Sequence, residues 1–330
     1  MILAQAMARG RANNLDAVRL AAAAAVVVSH AWPLALGKGT AEPLHHSTGQ
    51  SLGGWALGLF FFLSGLLITQ SAATRAPRAF WAARARRILP GLGAALVLTL
   101  GLAVASGGAP SMQEAAAYLL RGLTLVSIEH DIPGAYAANP WPGTVNGPLW
   151  SLFHELAAYG LCFALVAAGL LRGRAGIVAV LLGAAALWLA APVLPVARLS
   201  AFAPLFLAFA LGMAAWRWRE ALPLRADIAV GLLLLAFMAG SWPPGVVALG
   251  YSALVIAYRL PPRPLRWDLS YGTYLLGWPV AQTLLHVLPG LSAPALALLS
   301  LLAVLPLALA SWLWAERPML RRARPGLRSV

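Results

Sequence analysis

The sequence predicts an all-α fold, a polytopic transmembrane bundle of about ten spans with both termini on the cytoplasmic side. Three observations carry this expectation. The chain of 330 residues is 61% hydrophobic and only 10% charged, with a mean hydropathy of +0.77, far too apolar for a soluble domain. Apolar runs of about 20 residues, the length a helix needs to cross a hydrocarbon core, recur from end to end. The basic residues, finally, fall in alternate loops, which all lie on one side of the membrane.

The expected spans follow in order. The first, 15–36, carries Arg19 near one end and His30 towards the other. The second, 52–72, contains Phe61-Phe62-Leu63-Ser64-Gly65 and ends in a loop bearing Arg75, Arg78, Arg84, Arg86 and Arg87. The third is 88–106, after which 112–126 reads as an interfacial or partly inserted helix in a long loop rich in glycine and proline. The fourth, 149–171, holds His154 and Glu155, and 176–193 and 201–216 follow it. The seventh and eighth, 228–241 and 246–258, are short and separated by a turn at Trp242-Pro243-Pro244-Gly245. The last two are 269–288 and 294–315.

With the N-terminus in the cytoplasm, that side collects 21 of the 24 lysines and arginines, leaving Lys38, Arg121 and Arg198 outside. This asymmetry is what the positive-inside rule requires of a cytoplasmic face. It also accounts for the net charge of +14 without nucleic acid, because the charges lie in loops between spans and form no patch. The spans leave no room for a soluble domain. One transmembrane domain is expected over 1–330, with a core of 13–318 and a basic tail at 319–330. No cleavable signal is expected, because Met1 to Arg11 is mixed polar and the following apolar run is long and contains Arg19. Cys162, the only cysteine, sits in a span and reads as a small buried hydrophobe.

Ionisable groups at membrane depth cost at least ~2.5 to 3.5 kcal/mol to insert, which makes the few present candidates for function. Ten residues separate Arg19 from His30, and the eleven steps at ~1.5 Å and ~100° per residue place them about 16 Å apart on nearly the same helix face. Counting from its own end of the fourth span, Glu155 lies roughly 9 Å deep, similar to His30. A histidine beside a carboxylate is suited to general-base work, and equally to bonding two helices together. His154 points about 100° away from Glu155 and reads as structural. Arg19 either pairs with Asp16 or reaches the surface. Arg84 and Arg87, three apart, share a face and present forked donors suited to phosphate, or else to anionic lipid. His45, His46 and His130 lack metal-ligand spacing and read as solvated, so no metal is expected.

In order along the chain, Asn14-Leu15-Asp16 with Arg19 and His30, then Phe61-Phe62-Leu63-Ser64-Gly65, then Phe80, Arg84, Arg87, Ile88 and Pro90 resemble motifs of the acyltransferase-3 family, integral membrane acyltransferases of bacterial surface glycans. Asn146-Gly147-Pro148-Leu149-Trp150-Ser151-Leu152 with Glu155, then Ser270-Tyr271-Gly272-Thr273-Tyr274-Leu275, and finally Glu316-Arg317-Pro318 complete the resemblance, which covers most of the chain. Two departures stand out. Many relatives have a histidine where Gly277 stands here. Some append an esterase-like extracytoplasmic domain, which is not expected in this chain.

The resemblance implies catalytic roles for His30 and Glu155, donor binding by Arg19, Arg84 and Arg87, and acceptor binding by Asn146, Trp150 and Ser151. It implies acetyl-CoA, or another acyl-CoA, as donor at the cytoplasmic mouth, and a glycan or lipid-linked glycan as acceptor outside. The setting is the lipid of a bacterial inner membrane, and a separate esterase-like protein is a candidate partner for any second step. His30 either deprotonates the acceptor hydroxyl or is itself acylated first. The competing class is a transporter or flippase of a glycan or acyl precursor, which would also explain an intramembrane histidine.

Overall fold

The computed structural model describes residues 1–10, 12–126, 128 and 130–321. Arg11, Glu129 and most of the expected basic tail, with Arg322, Arg324 and Arg328, lie outside the described residues. Within them the chain is helical and contains no strand.

A short helix α1 (Leu3–Ala8) is tied to the loop before α10 by hydrogen bonds from Leu3 N to Leu222 O and from Leu224 N to Met1 O, both 2.9 Å. Then come α2 (Leu15–Leu36), the one-turn α3 (Pro43–Thr48) and α4 (Leu52–Thr74). Ser51 caps α4 by accepting from Gly54 N at 3.0 Å. Pro77 opens α5 (Pro77–Ala105), where a missing N–H costs nothing. The expected interfacial helix is α6 (Met112–Thr124), started by a reciprocal capping box between Ser111 and Glu114. A 3-10 turn at Gly147–Leu149 leads into α7 (Trp150–Ala167), followed by α8 (Arg174–Ala190) and α9 (Ala197–Arg217). The chain continues through α10 (Ala226–Ala239), α11 (Trp242–Arg259), α12 (Ser270–Val287) and α13 (Ala293–Ser311). A π-helical turn at Trp312–Glu316 then precedes α14 (Arg317–Arg321).

Each expected span falls on one of these helices, and among the described residues seven helices are long and apolar enough to cross a membrane. The expected spans 228–241, 246–258 and 269–288, on α10, α11 and α12, are not among the seven. α10 has only 14 residues. α12 carries Ser270, Thr273, Gln282 and Thr283, yet it is the most enclosed helix, with a continuous buried run from Gly272 to Gln282. Its polar groups face protein rather than lipid, which is where a bilayer tolerates them. By contrast α8 and α10 expose Leu182, Leu189, Phe237 and Met238, as lipid-facing helices do.

The centre is built by close backbone approach. α4 packs on α9, and α12 packs on both α2 and α13. A side chain at Gly272 would strike the backbone of Ala308, with Cβ 2.9 Å from its Cα. Where small residues line both sides, helices in a membrane pack tightly without a hydrophobic driving force.

Candidate active site

Three cavities run in series through the bundle, each sharing wall residues with the next. The first, about 450 Å³, is lined by Arg19 of α2, Arg75 at the end of α4, and Arg84 and Arg87 of α5. Arg84 leans over Phe80, its guanidinium carbon 5.8 Å from the ring centre, while Phe80 is itself buried against Phe163. Its Nε is buried without a partner among the described residues, an expensive state for a charged donor unless an anion completes it.

Arg87 differs from Arg84 although sequence spacing pairs them. Its Nη2 lies 2.7 Å from Asp268 Oδ2 and its Nη1 lies 3.2 Å from Glu316 Oε2, with the Tyr271 ring 5.5 Å from the guanidinium. Burial works to raise the Asp268 carboxyl, but Arg87, then Arg19 and Ser270, outweigh it and hold it below the ordinary carboxylate range. The π-helical turn directs Glu316 into the interior, fully buried, where Ser311 Oγ also donates to it at 3.1 Å. Arg87 is thus a neutralised strut, and Arg84 is the open donor of the cavity.

The middle chamber, about 70 Å³, shares Arg19, Ser64, Arg87 and Tyr159 with the arginine cavity and adds Glu155, Ser151 and Tyr274. Glu155 Oε1 accepts from Ser64 Oγ at 3.1 Å and from the hydroxyl of Tyr159, one turn further along α7. Tyr274 donates to the Pro148 carbonyl at 2.9 Å, leaving its oxygen to accept from Ser151 Oγ at 2.6 Å.

Leu57 and Tyr274 also line the third cavity, of about 860 Å³. His30 opens into it, with Trp141, Trp150, Trp242 and Trp278 around the wall. The His30 ring stands edge-on to Trp278 at 5.1 Å, and Trp278 edge-on to Trp141 at 5.0 Å. These rings are fixed from behind. Trp278 Nε1 donates to Thr144 O at 3.0 Å, and Gln282 Nε2 donates to the carbonyls of Trp141 and Thr144 at 2.8 and 2.9 Å. Glu42 accepts from Leu52 N at the start of α4, and His130 Nδ1 donates to the Asn146 carbonyl at 2.9 Å.

The structure therefore brings Arg19, Arg84 and Arg87 together, and sets Glu155 with Arg19 and Arg87 in the next chamber. It does not put Glu155 beside His30. Glu155 lines the middle chamber and His30 the tryptophan cavity, and α4 packs on both α2 and α7. Of the residues expected to meet the acceptor, Trp150 lines the tryptophan cavity and Ser151 the middle chamber. Asn146 is fully enclosed, its amide donating to Leu275 O at 2.9 Å. His154 places its ring nitrogens 3.0 Å from the Trp150 carbonyl and 3.1 Å from the Arg198 carbonyl, a link between α7 and the first turn of α9. His130, expected to be solvated, is likewise held by backbone.

Sequence reading gave no role to Tyr159, Tyr274, Trp278, Asp268 or Glu316. The available signals are Tyr159 one turn after Glu155, the spacing of Tyr271 and Tyr274, and the places of Tyr274 and Glu316 in the motifs that carry the family resemblance. Gly277, which the resemblance sets at a histidine position of many relatives, meets α2 so closely that a Cβ there would fall 2.4 Å from Val27 Cγ2.

Chemically, a cavity with an unsatisfied guanidinium can hold an anion, and a histidine on an aromatic-walled cavity can take a proton from a hydroxyl. The acyltransferase-3 family model, described as an acyltransferase domain, matches residues 12–315. An O-acetyl transferase of Shigella phage Sf6 is 29% identical, the match covering 96% of this chain and 98% of that protein. Nodulation protein 10 of Rhizobium leguminosarum bv. viciae is 28% identical over 84% of this chain and 85% of its own length. No solved structure matches significantly. With its family motifs distributed along one series of cavities, this multi-pass helical chain belongs to the acyltransferase-3 family and is an acyltransferase.

Proposed function

We infer that the protein moves an acetyl group from cytoplasmic acetyl-CoA to a hydroxyl of a glycan on the far side of a bacterial inner membrane. The observation that carries this reading is the series of cavities, with the unsatisfied Arg84 at one end and His30 among tryptophans at the other. The phosphates of coenzyme A suit the first, since each guanidinium offers a two-pronged donor set. Sugar rings suit the second, whose aromatic faces and flanking Glu42 and Asp131 match the apolar faces and hydroxyls of a pyranose. The family's acyltransferase domain and the name of the phage relative support the acyl chemistry.

In this reading the arginine cavity faces the cytoplasm, in line with the arginine asymmetry and ten spans. The pantetheine arm extends through the middle chamber past Ser64 and Glu155. His30 accepts the acceptor's hydroxyl proton as that oxygen attacks the thioester carbonyl. The C–O bond forms, the C–S bond breaks, and the thiolate leaves towards the arginines. Glu155, bonded to Tyr159 and Ser64, shapes the donor chamber rather than orienting His30.

The test is transfer of label from acetyl-CoA to surface glycan in membranes containing the protein, compared with His30→Ala and Arg84→Glu. His30→Ala abolishes transfer while coenzyme A binding persists, and Arg84→Glu raises the apparent donor KM. Substantial transfer by His30→Ala, or an unchanged donor KM in Arg84→Glu, overturns the corresponding assignment. Acceptor-dependent release of free thiol separates this enzyme from a transporter, which would leave the thioester intact.

A further inference from the structure

Among the described residues, eight buried side-chain nitrogen or oxygen atoms have no hydrogen-bond partner. Only two of the eight, Ser71 Oγ and Arg84 Nε, belong to residues that line any of the three cavities. Both line the arginine cavity, Ser71 from α4 and Arg84 from α5.

Ser71 passes over a partner that its neighbours use. Thr69 Oγ1 donates one turn back to Gly65 O at 2.6 Å, and Thr74 Oγ1 to Gln70 O at 2.8 Å. The carbonyl in the same relation to Ser71 is that of Leu67, and Ser71 makes no such bond. Ser71 is 8% exposed, so its hydroxyl is satisfied either by protein or by what fills the cavity, and protein does not satisfy it.

The wall says what chemistry that occupant has. Ser64, Ser71 and Arg75 lie one or two turns apart on the face that α4 turns to the cavity. With Arg19, Arg84 and Arg87 the wall holds four arginines and no carboxylate, which calls for an anion rich in acceptor oxygens. The last turn of α4 borders the cavity, and a helix C-terminus carries partial negative charge. Attraction for an anion on that side therefore comes from side chains.

We propose that Ser71 is a donor-binding residue, its hydroxyl donating to a phosphate oxygen of the acyl donor from α4 while Arg84 Nε does so from α5. The proposal rests on the reading that an acyl-CoA enters at the arginines. No bond of the donor is made or broken there, so Ser71 acts on donor affinity and not on the chemical step. A hydrogen bond to a charged oxygen is worth about tenfold or more in affinity.

The experiment measures binding of labelled coenzyme A to the detergent-purified full chain, with pyrophosphate and phosphatidylglycerol as competitors, and donor KM and kcat in membranes. Ser71→Ala weakens coenzyme A and pyrophosphate about tenfold each and raises the donor KM to match, with kcat unchanged. Its unfolding midpoint stays at the wild-type value, since no protein hydrogen bond is lost, and Ser71→Thr, which keeps the hydroxyl, restores most of the affinity. Ser71→Cys, a weak donor of similar size, reads the same loss if the alanine variant folds poorly. An unchanged coenzyme A Kd in a folded variant overturns the assignment. So does a loss that spares pyrophosphate, which would put Ser71 against the pantetheine arm, or one confined to phosphatidylglycerol, which would give the hydroxyl to lipid. A wild type that binds no coenzyme A overturns the donor reading itself.

Discussion

Gly65 of α4 and Gly212 of α9 each lie directly against the other helix's backbone. A Cβ on Gly65 would fall 2.0 Å from Phe209 O, and one on Gly212 would fall 1.9 Å from Phe62 O. The contact is reciprocal, so neither helix can yield without lifting off the other along its length. Gly65→Val or Gly212→Val is expected to destabilise the bundle by at least about 1–3 kcal/mol, the usual cost of overpacking. Gly101→Ala in α5, with nothing within 4 Å, is the control and is expected to be neutral or slightly stabilising. Thermal unfolding of detergent-purified protein measures both, and an unchanged midpoint in the valine variants would refute the packing assignment.

Arg84 and Arg87 separate by experiment. Arg87→Ala strands Asp268 and Glu316 without their cation, which for a buried pair costs about 3–5 kcal/mol. Arg84→Ala removes a side chain whose Nε has no hydrogen-bond partner among the described residues and is expected to leave the unfolding midpoint within a few degrees while weakening donor binding. The Asp268 carboxyl is held below its ordinary value, so its contribution is complete above the unfolded carboxylate's pKa and disappears as pH falls through the lower folded value. Acid titration of stability in the wild type and Asp268→Asn measures it, and superimposable curves would contradict this.

Placing a histidine at Gly277 is expected to impair folding and transfer together, because its Cβ would overlap Val27. Combining Gly277→His with Val27→Ala recovers part of the stability, with a coupling of about 0.5–3 kcal/mol in a double-mutant cycle. Additive effects would show that the two positions do not touch.

His154 serves the frame. His154→Leu removes the imidazole that lies within hydrogen-bond distance of the Trp150 and Arg198 carbonyls and is expected to lower stability by about 1–3 kcal/mol without changing the donor KM. A changed donor KM at full stability would reassign His154 to the site.

The helices were legible in the sequence because run length, proline and arginine mark where each apolar stretch begins and ends. α12 was placed correctly, but its enclosure was not foreseeable, since polar residues look alike whether they face lipid or protein. Depth along a span can be counted, whereas which helices are neighbours cannot. His30 and Glu155 count to similar depths along their spans and still line different cavities. Nor does spacing distinguish Arg84 from Arg87. The partners of Arg87 lie 181 and 229 residues away, and one of them is turned inward by a π-helical turn that leaves no mark in the sequence.

The glycine contact between α4 and α9 bears on what drives the process. α4 borders every cavity, through Leu57, Ser64 and Ser71 among others, and the backbone contact behind it leaves no slack for rocking. A cycle of alternating exposure would have to pry that pair apart each turn. On the proposed function the wall stays put, and the downhill exchange of a thioester for an ester would set the acyl group's direction of travel past it.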